Sequence, residues 1–262
     1  MYILNGSIDG LKSTIRKEIE FSGNVARSGT KSAKTRRVQE WLCLHGFMVV
    51  VDGEFGPATE LAVRAFQRKQ PLQETGAVDE ATFAALIKPM AVVLRPQVNK
   101  GGSLGETIAA IAKVHLQQHP FEVGSEANSG PWVRMYMDGN EGPIWLWCAG
   151  FVTFVMKQAA ELADIALPVK GSFSCDVLAM QANEKGIFRK GSATSHDEIP
   201  DGSFFLLRRT TSDWSHTGIV TDAKPQAFHS IEGNTNDGGS VNGVEVCART
   251  RGYDKKDFVV IN

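Results

Sequence analysis

A short stretch of this 262-residue chain repeats itself, and the repeat restricts the fold more than any other feature. Gly53-Glu-Phe-Gly-Pro-Ala-Thr59 recurs 23 residues on as Gly76-Ala-Val-Asp-Glu-Ala-Thr82, sharing the glycine, an apolar residue two places later and the Ala-Thr pair. Each copy sets a glycine turn ahead of a helix start, with Gly56 or Asp79 as N-cap and Pro57 at the first helical position. Ala58, Leu61, Ala62, Ala65 and Phe66 then form one apolar face, and Phe83 and Leu86 supply another. Upstream, Val38, Trp41, Leu42 and His45 recur at helical spacing until Gly46, a C-cap residue. Residues 31–88 therefore predict three short helices, and the polar, mixed pattern of residues 1–30 leaves an unassigned N-terminal extension.

The run Asp52-Gly-x-Phe55-Gly56-x-x-Thr59, followed by Ala62-Val63-x-x-Phe66-Gln67, resembles the bacterial peptidoglycan-binding three-helix domain. The resemblance implies adhesion to the cell-wall polymer, with wall contacts drawn from Trp41, Asp52, Phe55 and Gln67. Packing offers a plainer role for the same residues: Trp41, Phe55 and Phe66 as core, and the turn Asp and Gly as structural.

Charge excludes one class of partner. The chain carries 28 basic and 29 acidic side chains, net −1, which does not suit a protein that neutralises phosphates along its length. No apolar stretch approaches the roughly 18–20 residues needed to span a bilayer. The first residues lack a basic segment followed by an apolar one, so a chain starting at Met1 is expected to be made in the cytoplasm without a signal peptide. Cys43, Cys148, Cys175 and Cys247 are far apart and form no CxxC pair, so they read as separate thiols.

Residues 89–105, with Pro89, Pro96 and Gly101-Gly102 and no acidic side chain, read as a linker. Ser103-x-x-Glu106 then has the form of a capping box, and Ile108, Ile111, Ala112 and His115 continue it as an amphipathic helix ending near His119-Pro120. A second domain, 106–262, begins here.

Its most informative run is Pro143-Ile-Trp145-Leu-Trp147-Cys148-Ala-Gly-Phe151-Val-Thr-Phe154-Val155, in which an apolar helical pattern starts at a cysteine. A thiol at a helix N-terminus has its thiolate stabilised by backbone N–H groups and the helix dipole, and can attack a carbonyl. A cysteine in an apolar helix is also a good small core residue. Strand-like runs follow at Ser203–Arg209, His216–Thr221, Phe228–Asn236, Val244–Ala248 and Phe258–Ile261, which together predict an antiparallel sheet backing the helix of Cys148. The fold class is α+β: a small three-helix domain followed by helices packed on an antiparallel sheet.

Trp-Cys148-Ala-Gly-Phe, Pro200-Asp-Gly202, Ser215-His216-Thr-Gly-Ile-Val and Ile231-Glu232-Gly-Asn234 resemble the CHAP family of cysteine, histidine-dependent amidohydrolases and peptidases, a papain-like fold. The resemblance implies Cys148 as nucleophile, His216 as the base that takes its proton and returns one to the leaving amine, and Glu232 or Asn234 as the group orienting the imidazole. The Cys148 N–H is the implied oxyanion donor. Trp147 stands where some members carry a polar residue, so the second donor is open, with Asn128 and Tyr136 as candidates. The segment Asn128-Ser-Gly130-Pro131-Trp-Val, with Tyr136, looks like the substrate-side lead-in of wall-associated members, and Asn128, Tyr136, Trp147 and Trp214 are the candidate substrate contacts.

No cofactor or metal is expected. His115-x-x-x-His119 encloses Leu-Gln-Gln and lacks the Glu of a metallopeptidase helix, and Asp138-Gly-Asn140-Glu141-Gly lacks the full ligand alternation of a calcium loop. The expectation is a peptidoglycan hydrolase that cuts an amide as an N-acetylmuramoyl-L-alanine amidase or an endopeptidase. It would be a monomer acting at the wall, as a phage endolysin released through a holin or a secreted lytic effector met by an immunity protein. The alternative is an inactive wall-anchoring protein of the same fold.

Overall fold

The internal repeat has a physical cause visible in the computed structural model, which describes all residues except 24–27, 30, 100–101 and 237–241. Helices α2 (Ala33–Leu44) and α3 (Pro57–Lys69) each end one turn of their inner face in a buried glutamine. Gln39 accepts from Gly53 N–H at 2.8 Å and donates to Asp52 Oδ1, the Glu54 carbonyl and Thr59 Oγ1. Gln67 accepts from Gly76 N–H at 2.9 Å and donates to Thr75 Oγ1, the Ala77 carbonyl and Thr82 Oγ1. Both glycines hold positive φ, 77° and 74°, which a side chain would strain. Each repeat is thus one turn clamped by one buried amide, and helix α4 (Glu80–Leu86), capped by the Asp79 carboxylate, follows the second copy. Trp41, Phe55, Val63 and Phe66 fill the space between the helices.

The segments on either side of this module are structured. Residues 1–20 include helix α1 (Ser13–Ile19), whose Ile15 and Ile19 are buried, and the backbone N–H groups of Tyr2 and Ile3 donate to Glu161. The proposed linker contains helix α5 (Lys88–Val93), with Met90, Val93 and Leu94 buried; Leu4 N–H donates to the Leu94 carbonyl and Gln158 Nε2 to that of Val93. An apolar period in Met90, Val93 and Leu94 outweighs the turn signal of Pro89, which sits in the first turn of α5 where proline is tolerated. Parts of the extension (24–27, 30) and of the linker (Lys100, Gly101) lie outside the described residues.

Helix α6 (Leu104–Gln117) opens with the full Ser103–Glu106 capping box. Helix α7 (Pro131–Tyr136) leads to helix α8 (Cys148–Ala163), which is apolar on almost every side because it lies between α6 and the sheet. Helix α9 (Cys175–Glu184) precedes the strands β1 (Phe188–Lys190), β2 (Phe204–Thr210), β3 (Asp213–Ala223), β4 (Phe228–Thr235), β5 (Glu245–Arg251) and β6 (Lys256–Val259). They form an antiparallel sheet ordered β1-β6-β2-β3-β4-β5. The protein is α+β, with an N-terminal helical domain. Among the described residues no helix is long and apolar enough to cross a membrane.

Candidate active site

Three elements bring the candidate residues together. Cys148 is the first residue of α8, His216 lies on β3 and Glu232 on the adjacent β4. Close approach depends on two glycines: a Cβ at Gly218 would come within 2.6 Å of Glu232 Cγ, and one at Gly233 within 2.7 Å of Phe151 Cβ. The glycines in His216-Thr-Gly and Glu232-Gly therefore let β3, β4 and α8 close on one another.

His216 and Glu232 are fully buried, and Nε2 of the ring lies 2.8 Å from Glu232 Oε2. A carboxylate can only accept there, so Nε2 carries a proton and Nδ1 is the nitrogen left for the thiol. Nδ1 is buried and makes no hydrogen bond of ordinary geometry. The hydrogen bond from Cys175, whose Sγ is 4.0 Å away, is the largest influence holding the Cys148 thiol well below its ordinary range. Burial opposes it, while His216 and the Thr217 N–H reinforce it. For His216, burial favours the neutral ring, but the interaction with the Cys148 sulfur, the hydrogen bond to Glu232 and the negative charges on both raise its pKa to about 9.

Glu232 is itself clamped. It accepts from Arg251 Nε at 2.8 Å and Nη2 at 2.6 Å and from Ser230 Oγ at 2.6 Å. Burial favours the protonated acid, yet Arg251 and His216 together hold the Glu232 pKa at about 2. The arrangement can keep a thiolate beside an imidazolium and fix the ring's orientation from behind, which is what nucleophilic attack on a carbonyl carbon needs. Cys148 N–H, at the first helical position, has no partner within the helix and is available to a developing oxyanion.

Asn234 takes a different part. The β4–β5 register breaks between Glu232 and Thr235, and Asn234 has φ 56°, so the even alternation that would align it with Glu232 is lost. Its Oδ1 accepts from Trp147 N–H at 3.2 Å, and its Nδ2 donates to Asn128 Oδ1 and the Gly243 carbonyl. It holds the backbone just before the cysteine, and Glu232 is the partner of His216.

Three of the four candidate substrate contacts are enclosed. Asn128 is buried and donates to the Pro143 carbonyl, Trp147 is buried with Nε1 on Glu122 Oε1 at 2.8 Å, and Tyr136 is buried with its hydroxyl 2.8 Å from His115 Nδ1. Trp147 and Tyr136 stack at 5.6 Å. Asn128 and Tyr136, the candidates for the second oxyanion donor, are thus buried and already bonded to protein groups. Trp214 does line the open cleft beside Cys148, with Ile144, Leu146, Phe173, Cys175 and Ser215.

In the helical module, Trp41 and Phe55 are fully buried and Gln67 is the clamp of the second turn, so none of the three presents a face to a polymer. Asp52 caps its own turn through the Glu54 N–H. The module's strongly exposed apolar side chains, among the described residues, are Met48, Val50 and Leu61. The two histidines of α6 and its end diverge: His115 bonds Tyr136 and Gln158 in the core, while His119 bonds Glu245. Asp138 pairs with Lys12, and Glu141 with Arg134.

Cys175, Arg251, Ser230 and Glu122 carry no sequence signal that ties them to Cys148. Ser230 lies two residues before Glu232 on β4 and Arg251 on the neighbouring β5, and the strand register is needed to bring the arginine to the carboxylate.

Residues 31–86 match the family described as "Putative peptidoglycan binding domain". The helical module is therefore a peptidoglycan-binding domain, which associates the chain with the cell wall and makes peptidoglycan its partner. No curated protein matches the chain with significance.

Proposed function

We propose that the chain is a peptidoglycan hydrolase in which residues 106–262 form a CHAP-like cysteine amidase or peptidase. The reading is supported by one observation above others: a buried Glu232–His216 pair stands behind a cysteine at a helix N-terminus, beside an open cleft. In the resting pair the thiolate and imidazolium coexist. The thiolate attacks the amide carbonyl, the Cys148 N–H steadies the oxyanion, and the imidazolium protonates the departing amine. The neutral ring then takes a proton from water, which hydrolyses the acyl-enzyme and releases the carboxylate.

A carrier that binds the wall keeps the cleft at high effective concentration over an insoluble substrate. The bond cut is the lactyl–alanine amide or a peptide bond of the stem or cross-bridge. The chain would act at the wall after holin, virion or secretion-system delivery, as an endolysin or lytic effector. Purified sacculi test the proposal: the native chain is expected to bind and to release soluble fragments, whereas Cys148→Ala binds equally and releases none. Equal release by both would overturn it.

A further inference from the structure

The thiol nearest the candidate nucleophile is another cysteine. Cys175 opens α9 as Cys148 opens α8, and the two sulfurs, 4.0 Å apart, both border the cleft that a small solute can enter. A disulfide requires the sulfurs to close to about 2.05 Å, a movement of about 2 Å shared between two first-turn side chains. The start of α9 is held to the sheet, since Asp176 accepts from Trp214 N–H of β3 at 2.7 Å, so the closing movement falls to rotation of the two cysteine side chains. Cys43, by contrast, lies in the N-terminal module on the Val49 carbonyl, and Cys247 is on β5.

We propose that Cys148 and Cys175 form a reversible redox pair, in which a peroxide converts them to a disulfide that masks the nucleophile and a dithiol restores them. The Cys148 thiolate attacks a peroxide oxygen; an S–O bond forms, the O–O bond breaks, and hydroxide leaves and takes a proton from solvent to become water. Cys175 sulfur then attacks the sulfenic sulfur; the S–S bond forms, the S–O bond breaks, and the Cys175 proton departs with the hydroxyl as a second water. The two sulfurs lose two electrons and the peroxide gains them. Cys148 suits the first step, being held as thiolate by Cys175 and His216, and Cys175 suits the second by position. The hydrogen bond to the Cys148 thiolate, burial and the thiolate's charge hold the Cys175 pKa up, and once Cys148 is a sulfenic acid the first and last of these are gone. The effect on activity rests on the hydrolase reading above; the thiol chemistry does not.

The full chain is treated with hydrogen peroxide, denatured, alkylated and mapped by mass spectrometry without reduction. The expected result is a Cys148–Cys175 linked peptide about 2 Da lighter than the sum of its free peptides. Wall clearing by the same sample is lost and returns with dithiothreitol. In Cys175→Ser, peroxide inactivation becomes insensitive to dithiothreitol because Cys148 proceeds to the sulfinic acid. Mapping the native chain needs no variant to fold. A sulfinic Cys148 beside a freely alkylated Cys175, or a link from Cys148 to another cysteine, overturns the inference. If the link forms and is reduced but the reduced chain never releases wall fragments, the redox pair stands and the hydrolase reading fails.

Discussion

Glu232 accepts from His216, Ser230 and two nitrogens of Arg251, and so serves as the fixed anion from which the imidazole takes its orientation. His216 stays protonated up to about pH 9. The pH profile of kcat/KM for wall fragments should therefore lose activity on the alkaline side near 9, where the leaving amine loses its acid. Glu232→Gln should bring that limb to lower pH and reduce kcat by roughly 10²–10⁴-fold, the range for a mispositioned acid–base catalyst. A histidine raised from 6.5 to about 9 contributes stability that is complete below about 6.5 and lost as pH rises through 9. Glu232, lowered from 4.5 to about 2, contributes above about 4.5 and loses that contribution as pH falls toward 2. The lowered Cys148 thiol contributes with the opposite slope between about 6.5 and 9 and offsets His216 there, so the acid side is the test. The denaturant midpoint should fall as pH drops from about 4.5 toward 2, and a midpoint that does not respond over that range would contradict the Glu232 ion pairs.

The glycine turns of the helical module depend on one side chain each. Removing Gln67 leaves the buried Gly76 N–H and Ala77 carbonyl without it, so Gln67→Ala should destabilise the chain by about 2–3 kcal/mol. Met48→Ser, at a strongly exposed site, should stay within about 0.5 kcal/mol. Urea unfolding of the two variants separates them. The same elements differ in how legible they are in the sequence. Helices α2, α3, α4, α6 and α8 and the long strands carry strong apolar periods or caps; Cys148 is marked by the apolar helical pattern that starts at it, and His216 and Glu232 by motifs that resemble the CHAP family. Helices α1, α5, α7 and α9 are six to ten residues long and take their order from packing at a distance. Trp41, Phe55, Gln67, Asn128, Tyr136 and Trp147 were candidate contacts because aromatic and amide side chains serve binding and cores alike. Burial decides between the two roles, and it depends on residues far away in sequence. Asn234 turned away from His216 because of a bulge that no two-residue period reveals.

Three parts of the molecule meet at Arg134 on α7. Its guanidinium bonds Glu18 of α1 through Nε and Nη2, both at 2.9 Å, Glu40 of α2 at 2.6 and 3.1 Å, and Glu141 at 2.7 Å. Glu18 and Glu40 are buried, and Trp41 packs edge-on to Trp132 beside them at 5.9 Å. The wall-binding module is therefore docked against the second domain by a buried ionic junction on α7, the helix that also carries Tyr136, stacked on Trp147 beside Cys148 in sequence. Removing the arginine strands two buried carboxylates, so Arg134→Ala should cost about 3–5 kcal/mol in unfolding free energy, far more than a surface ion pair. A change below 1 kcal/mol would mean that the junction does not hold the parts together. Hydrolysis of the wall would pass through the sulfur of Cys148. Mass spectrometry of the termini left in purified peptidoglycan reads it directly: the native chain should create one new class of free amine paired with one new carboxylate, absent after Cys148→Ala. Identical termini from both proteins, or none from the native chain, would contradict it.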